Sequence, residues 1–455
     1  MAYRFPVSTP SSPPSGPAEE RHRSHPAPRR RPVLPLVATG VVAAVLAGGA
    51  TALALSGRAD DDAADRSSAV VGEPAQGSTA APSVSPTPPP PPPEPAVFTL
   101  VAAGDVLLHN AVTRSATQDG VLDYSAVLSG LDAWVQGADL ALCHFETPVV
   151  PPGQEVTTYP VFGVPAQIVT DLQEQGWDGC STASNHSIDR KFTGIEATLE
   201  AFDAVGLGHV GTARSQEESD APQLYTLERE GRTITVAQLS ITYGLNGFTL
   251  PEDKPWAVDL LDVERTIARA AAARAVGADL VVVSLHDGTE YRADPTENQV
   301  AVTQALADSG VVDLVLGHHA HVPQPVAHLA GGPDGVGMWV AYGLGNMVSN
   351  QSADCCAAAT SNGLLLTATI TAEPDAPARV TGVEWTGLTV DRSAGHRVRA
   401  LPDAIADPAG GSLSAEELAA RAQRVVDVVG TAAPERTTPP TPTGPAPVVV
   451  PRPVG

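Results

Sequence analysis

Basic charge is scarce in this chain of 455 residues: 27 lysines and arginines stand against 51 aspartates and glutamates, for a formal net charge of −24. The basic residues are also unevenly placed, since six arginines against two glutamates give residues 1–32 a charge of +4 and leave −28 for the rest. So acidic a body repels nucleic-acid phosphates, and with no basic stripe to override the repulsion a DNA- or RNA-binding role is excluded. Cysteine is nearly as scarce. The four residues, Cys143, Cys180, Cys355 and Cys356, include no Cys-x-x-Cys pair, which argues against a structural zinc knuckle of thiolates. Spacing does not fix their pairing; Cys143 and Cys180 fall at expected strand ends, where a bridge between them is plausible, and the vicinal Cys355 and Cys356 fall in a loop. No internal repeat is present.

Long apolar runs are lacking as well, with one exception. "LVATGVVAAVLAGGATALALS", residues 36–56, is 21 residues long without a charge, enough at about 1.5 Å per residue to span a hydrocarbon layer of ~30 Å. Arg29, Arg30 and Arg31 precede it and Asp60, Asp61, Asp62 and Asp65 come after it, so the positive-inside rule puts the N-terminus in the cytoplasm and everything later outside. We read a single-pass membrane anchor. A cleaved secretory signal, with Ala52-Leu53-Ala54 as its processing site, is the competing reading, and both export the remainder of the chain.

Proline is what the chain has in excess. Of its 43 prolines, 27 gather in residues 1–35, 66–96 and 431–455, stretches too poor in large apolar side chains to build a core. The expected organisation is therefore a disordered basic cytoplasmic tail (1–35), the anchor (36–56), a Pro-rich linker (57–96), a folded domain (97–430) and a disordered Pro/Thr-rich tail (431–455). The linker ends in six consecutive prolines, Pro88 to Pro93, which favour an extended polyproline spacer.

Within the domain, short apolar runs alternate with helical patterns, the mark of a layered α/β fold. "VFTLVAAGD" (97–105), "ADLALCHFE" (138–146), "WDGCSTASNH" (177–186), "ADLVVVSLHDG" (278–288) and "VVDLVLGHHAH" (311–321) read as buried strands. Helices are expected near 165–175, 194–205, 262–275 and 296–308, a hairpin at 222–229 and 232–240 around "EGR", and a last helix from the capping box Ser414-x-x-Glu417.

Five of those strands end in residues that bind metals or move protons: Asp105, Glu146, Asn185 with His186, His286, and His318, His319 and His321. Ligands of open α/β sheets bind beyond the carboxyl ends of the strands, so these side chains are expected to converge on one cleft. A set of carboxylates, a carboxamide and several imidazoles suits Mn, Fe or Zn better than Ca or Mg, which favour oxygen alone. One or two divalent transition-metal ions are expected. His319 and His321, two apart, can each serve one ion, with His318 behind them or acting as a proton donor.

The runs "AAGDVLL", "ALCHFETPVV", "SNHSID", "VVVSLHDGTEY", "GHHAHVPQP" and "YGLGNMV" resemble, in order, the motifs of the bacterial capsule-synthesis (CapA, poly-γ-glutamate biosynthesis) family, a relative of calcineurin-like metallophosphoesterases. The resemblance spans roughly residues 97–372 and implies a four-layer α/β sandwich of the metallophosphoesterase type, preceded by the one transmembrane helix. It implies metal ligation by Asp105, Glu146, Asn185, His286, His319 and His321, with Glu290 and Asn346 as supporting or additional ligands and His186 and His318 as proton donors. Here "CHFE" replaces the family's Asn-Leu-Glu run, and Val106 and Leu107 stand where ordinary phosphoesterases place a histidine two residues after Asp105. One ion would then be poorer in ligands, leaving Glu290 to compensate or the site mononuclear.

The resemblance supports two functions. One is a cell-surface, metal-dependent hydrolase acting on a phosphoester or amide in the biosynthesis or export of poly-γ-glutamate or a related polymer. The other is a non-catalytic accessory subunit that binds the polymer or a membrane synthase/export complex.

Overall fold

The computed structural model describes residues 94–454. The expected anchor at 36–56 lies outside them, as do the expected cytoplasmic tail and residues 57–93 of the linker. Among the described residues no helix is long and apolar enough to cross a membrane.

Two sheets carry the domain. In the first, the strands Ala96–Val106, Leu140–Phe145, Gly179–Ser181 and Gly208–Val210 run parallel side by side, and the antiparallel strands Asn362–Ala372, Ala378–Asp391 and Arg397–Ala400 extend it past Ala96–Val106. In the second, Arg232–Thr242, Leu280–His286, Leu314–His318 and Met338–Ala341 run parallel, flanked by the antiparallel strands Gln223–Arg229 and Val326–Leu329. The hairpin expected around "EGR" is present. Glu230 (φ 49°) and Gly231 (φ 70°) both take the left-handed conformation that a two-residue turn between twisted strands requires.

Strand alternation explains the layers. Leu100, Leu140, Leu142, Val282, Leu314 and Leu316 face the other sheet and meet Tyr225, Val236 and Leu366 in one core. Their neighbours point outward: Val101 and Ala141 pack under helices that supply Trp134, Ile168 and Phe202, while Val281, Val283 and Val315 pack under helices Val263–Ala275 and Glu297–Asp308. The result is a mixed α/β sandwich with both faces of each sheet covered, which is why its parallel strands read as unbroken apolar runs. The other expected helices are present as Gln167–Gln175, Lys191–Val205 and Ala415–Val429, the last with Ser414 accepting from the Glu417 N–H. Asn110–Ser115, Ser125–Leu128 and Asp132–Gln136, each under two turns and without a side-chain cap, gave no readable period.

Cys143 and Cys180 lie directly opposite each other on adjacent strands and are bonded, as are Cys355 and Cys356.

The C-terminal tail corrects the reading from composition. Residues 431–454 are not a free tail but a strap laid along the two sheets. The Trp385 indole N–H donates to the Ala433 carbonyl, the Thr443 N–H donates to Asp139, and Val448–Val450 adds an antiparallel strand to the edge strand Gln223–Arg229. Arg452, 6% exposed, donates to the carbonyls of His209, Thr212 and Glu218. Proline suits an edge because it removes a donor where no neighbour needs one, so a proline-rich sequence can be ordered by a surface that its composition does not reveal. Replacing Arg452 with Ala withdraws the shared donor from these three carbonyls and should cost about 2–3 kcal/mol, read as a lower denaturation midpoint of the full chain; an unchanged midpoint would make the strap ornamental.

Candidate metal centre

Followed toward their carboxyl ends, the inward-facing rows change chemistry. Leu140 and Leu142 lead to His144 and Glu146, Leu280 and Val282 lead to Ser284 and His286, and Leu314 and Leu316 lead to His318. Two glycines set how closely these ends meet. A Cβ on Gly104 would lie 1.8 Å from the Gly345 carbonyl oxygen, and one on Gly317 would lie 1.9 Å from that of Tyr342. With hydrogen in their place, Asp105 pairs in register with His144 on one side and Asn346 on the other, and His318 pairs with His286.

Asp105 stands at the middle of the cluster, fully buried. Its Oδ2 lies 3.0 Å from Nδ1 of His321 and its Oδ1 lies 3.6 Å from Nδ1 of His318. Nε2 of His321 lies 3.7 Å from Glu146 Oε1. His144 stacks on His318 at 4.1 Å between centroids, and its Nε2 is 2.9 Å from Nδ1 of His286, whose Nε2 is 2.9 Å from the Asn185 carboxamide oxygen. Two groups of potential ligand atoms share the aspartate. Asp105, His144 and His318 form one and Asp105, Glu146 and His321 the other, with the atoms of each group within 4.8 Å of one another.

The remaining expected residues surround these groups. His319 packs between Tyr243 (4.6 Å) and His286 (4.8 Å), outside both. His319 (φ 87°) and His321 (φ 57°) both take the left-handed backbone region, a strain of about 1–3 kcal/mol each of the kind that collects at functional sites. Asn346 braces His321, with its Oδ1 3.2 Å from Nδ1 and its amide donating to the His321 carbonyl. His186 is held by Asp189, Nδ1 to Oδ2 at 2.7 Å. Glu290 is exposed on the wall of the adjoining cleft. The sequence reading named His144 only as a changed neighbour of Glu146. Alternation could have found it, since residues two apart on a strand share a face, and it supplies the imidazole that Val106 and Leu107 do not.

The electrostatics favour bound cations. Burial pushes the Asp105 carboxyl up, but the His318 and His321 imidazoles overcome it and hold the group well below the usual carboxylate range. Burial raises Glu146, against the pull of His321. Burial, reinforced by neighbouring imidazoles, pushes His144 and His286 well down and His319 to about 3, so these rings are held in the neutral form that metal ligation requires. His321 is driven the other way: burial would lower it, but the Glu146 and Asp105 charges raise it. Six buried polar atoms here lack a hydrogen-bond partner: Asp105 Oδ1, both Glu146 oxygens, both His318 nitrogens and His319 Nδ1. Each such atom costs roughly 1–3 kcal/mol, against a whole-domain stability of about 5–15 kcal/mol. Divalent metal ions fit this donor set, because they would engage those atoms and the mixture of imidazole, carboxylate and carboxamide is that of transition-metal sites.

The family model described as "Bacterial capsule synthesis protein PGA_cap" matches residues 99–351, more than half of the chain. The chain belongs to the bacterial capsule synthesis family. Among relatives in this family, the "PGA biosynthesis protein CapA" of Bacillus subtilis is 27% identical over 251 residues, covering 54% of this chain and 62% of that protein. The "Probable polyglutamine synthesis accessory protein" of Mycobacterium tuberculosis is 26% identical over 219 residues, covering 47% of this chain and 56% of that one. The match thus spans about three-fifths of the length of these family relatives. Among solved structures, the Haemophilus influenzae NAD nucleotidase superposes with a TM-score of 0.43 at 12% identity, covering 74% of this chain and 63% of that one. The matched region holds Asp105, Glu146, Asn185, His286, His318, His319, His321 and Asn346.

If the cluster holds metal, stripping the full chain with chelator and adding back Mn or Zn at ~100 times the dissociation constant should stabilise it by about 2.7 kcal/mol, seen as a raised thermal midpoint. The rise should shrink in His144→Ala, and no rise in the unaltered chain would contradict the assignment.

Proposed function

We propose that this chain is a metal-dependent hydrolase of the metallophosphoesterase type, cutting a phosphoester or amide during biosynthesis or export of a poly-γ-glutamate-type or related surface polymer. In this reading residues 36–56 anchor it, with the N-terminus in the cytoplasm and the domain outside the cell. The carrying observation is the set of buried, partnerless ligand atoms around Asp105, a costly arrangement in a protein that only binds. The relatives' names supply the link to capsule and polymer synthesis.

Asp105 with His144 and His318, and Asp105 with Glu146 and His321, are the residues that would hold the metal, with Asn185 and His286 close by. Bound metal would supply Lewis-acid polarisation of the scissile group and a water made acidic enough to attack at neutral pH. The protein does the rest. Asp189 fixes the His186 imidazole through Nδ1, leaving Nε2 to carry the proton that a departing oxygen or nitrogen needs. Asn246, whose carboxamide nitrogen lies 3.4 Å from that ring and whose oxygen accepts from Asn185, ties the donor to the ligand cluster. The packed sheets keep water from the far side of the ligands.

The word "accessory" in one relative's name favours a second reading, in which the same domain binds polymer or a synthase complex without turnover. Kinetics separate the two. With Mn-loaded full chain and bis(p-nitrophenyl) phosphate or γ-glutamyl p-nitroanilide as substrate, the hydrolase reading expects metal-dependent turnover, lowered 10²- to 10⁴-fold in His186→Ala at unchanged metal content. A fully loaded chain with no turnover of either substrate supports the accessory role.

A further inference from the structure

A cleft of about 730 Å³ adjoins the centre, with His186 and His321 among the residues that line it. Its size is that of sites that enclose a small molecule or a few units of a polymer. The composition of its walls is selective. Glu290 is the one carboxylate, and no lysine or arginine lines it among the described residues. Tyr159, Phe162, Phe248 and Tyr291 contribute rings, and Asn246, Asn350 and Gln351 contribute carboxamides. Tyr159 is 74% exposed and Phe248 47% exposed, so two large rings stand in solvent beside the one place where reacting groups gather.

A γ-linked glutamate chain carries one carboxylate on every unit. Units flanking the scissile bond would press those carboxylates against Glu290 and aromatic walls with no lysine or arginine among the lining residues to receive them, inside a protein already strongly acidic, and unpaired charge of this kind is costly to desolvate. A pyranose ring has the opposite needs. It is uncharged, its axial C–H faces pack on exposed aromatic rings, and its hydroxyls exchange hydrogen bonds with carboxamides and tyrosine hydroxyls. We infer that the cleft takes a neutral glycosyl unit attached to the scissile group, so that the substrate is a sugar-bearing phosphodiester and not a γ-glutamyl amide.

This rests on the hydrolase reading for the position of the reacting group and deepens it on the side of the substrate. In the step, a water oxygen bonds to phosphorus as the bond from phosphorus to the departing oxygen breaks; the His186 Nε2 proton goes to that oxygen and a proton of the attacking water is released. An alcohol and a phosphate monoester result.

Saturation-transfer NMR on the full chain, with and without added Mn, tests ligand class apart from catalysis. The probes are methyl β-cellobioside, N-acetylglucosamine 1-phosphate, penta-γ-glutamate and adenosine 5′-monophosphate. Both sugars should receive saturation, the uncharged one without metal too, and Tyr159→Ala with Phe248→Ala should weaken their binding at least 10-fold while metal content and thermal midpoint stay unchanged. Penta-γ-glutamate binding as tightly as the sugars and competing with them, a nucleotide bound tenfold more tightly than either sugar, or indifference to both aromatic substitutions would overturn the inference. Metal bound with the selectivity reversed sinks this inference alone; sugar binding by a chain that takes up no metal sinks the hydrolase reading alone.

Discussion

The structure turns on a single buried carboxylate. Asp105 sits at the carboxyl end of a central strand with no exposure to solvent, and the inter-sheet core that is mainly leucine and valine further back along the strands becomes histidine, glutamate and asparagine around it. Hydrophobic packing brings the two sheets together, and the same packing drives these polar ends out of water. Gly104 and Gly317 make the approach close enough to matter, since neither site has room for a Cβ. A domain folded this way carries buried polar atoms without partners that a bound cation would engage, so metal there would serve the packing as well as the chemistry.

Charge at longer range is consistent with this. The folded region belongs to a strongly acidic chain, yet the acidic groups that matter to the site are few and sealed in. The cleft beside them is aromatic and amidic, with Glu290 as its one acidic wall residue. Bound metal would then be the main positive charge near a substrate, so anionic groups should be drawn to the centre while uncharged portions contact the walls.

Much of this was legible in the sequence, for identifiable reasons. Parallel strands covered on both faces must read as continuous apolar runs, and the residues that end them stand out by contrast; Asp105, Glu146, Asn185, His286 and His318 were visible in that way. What stayed hidden depended on partners distant in sequence. His144 looked like a substitution next to Glu146 because nothing local says that it would stack on His318, 174 positions later. The 431–454 strap looked disordered because its order comes from the Gln223–Arg229 edge and from the carbonyls that hold Arg452. Glu290, expected to support the ligands, lies on the cleft wall, where its charge acts on His321 and Glu146.

The central claim is that the Asp105 cluster exists to hold divalent metal. Elemental analysis of the purified full chain beside Asp105→Asn, which keeps the shape of the shared ligand and removes its charge, tests it most directly. One or two equivalents of a transition metal in the unaltered chain, lost in the variant, is the predicted result; no metal above background after reconstitution, or equal metal in both proteins, would contradict it.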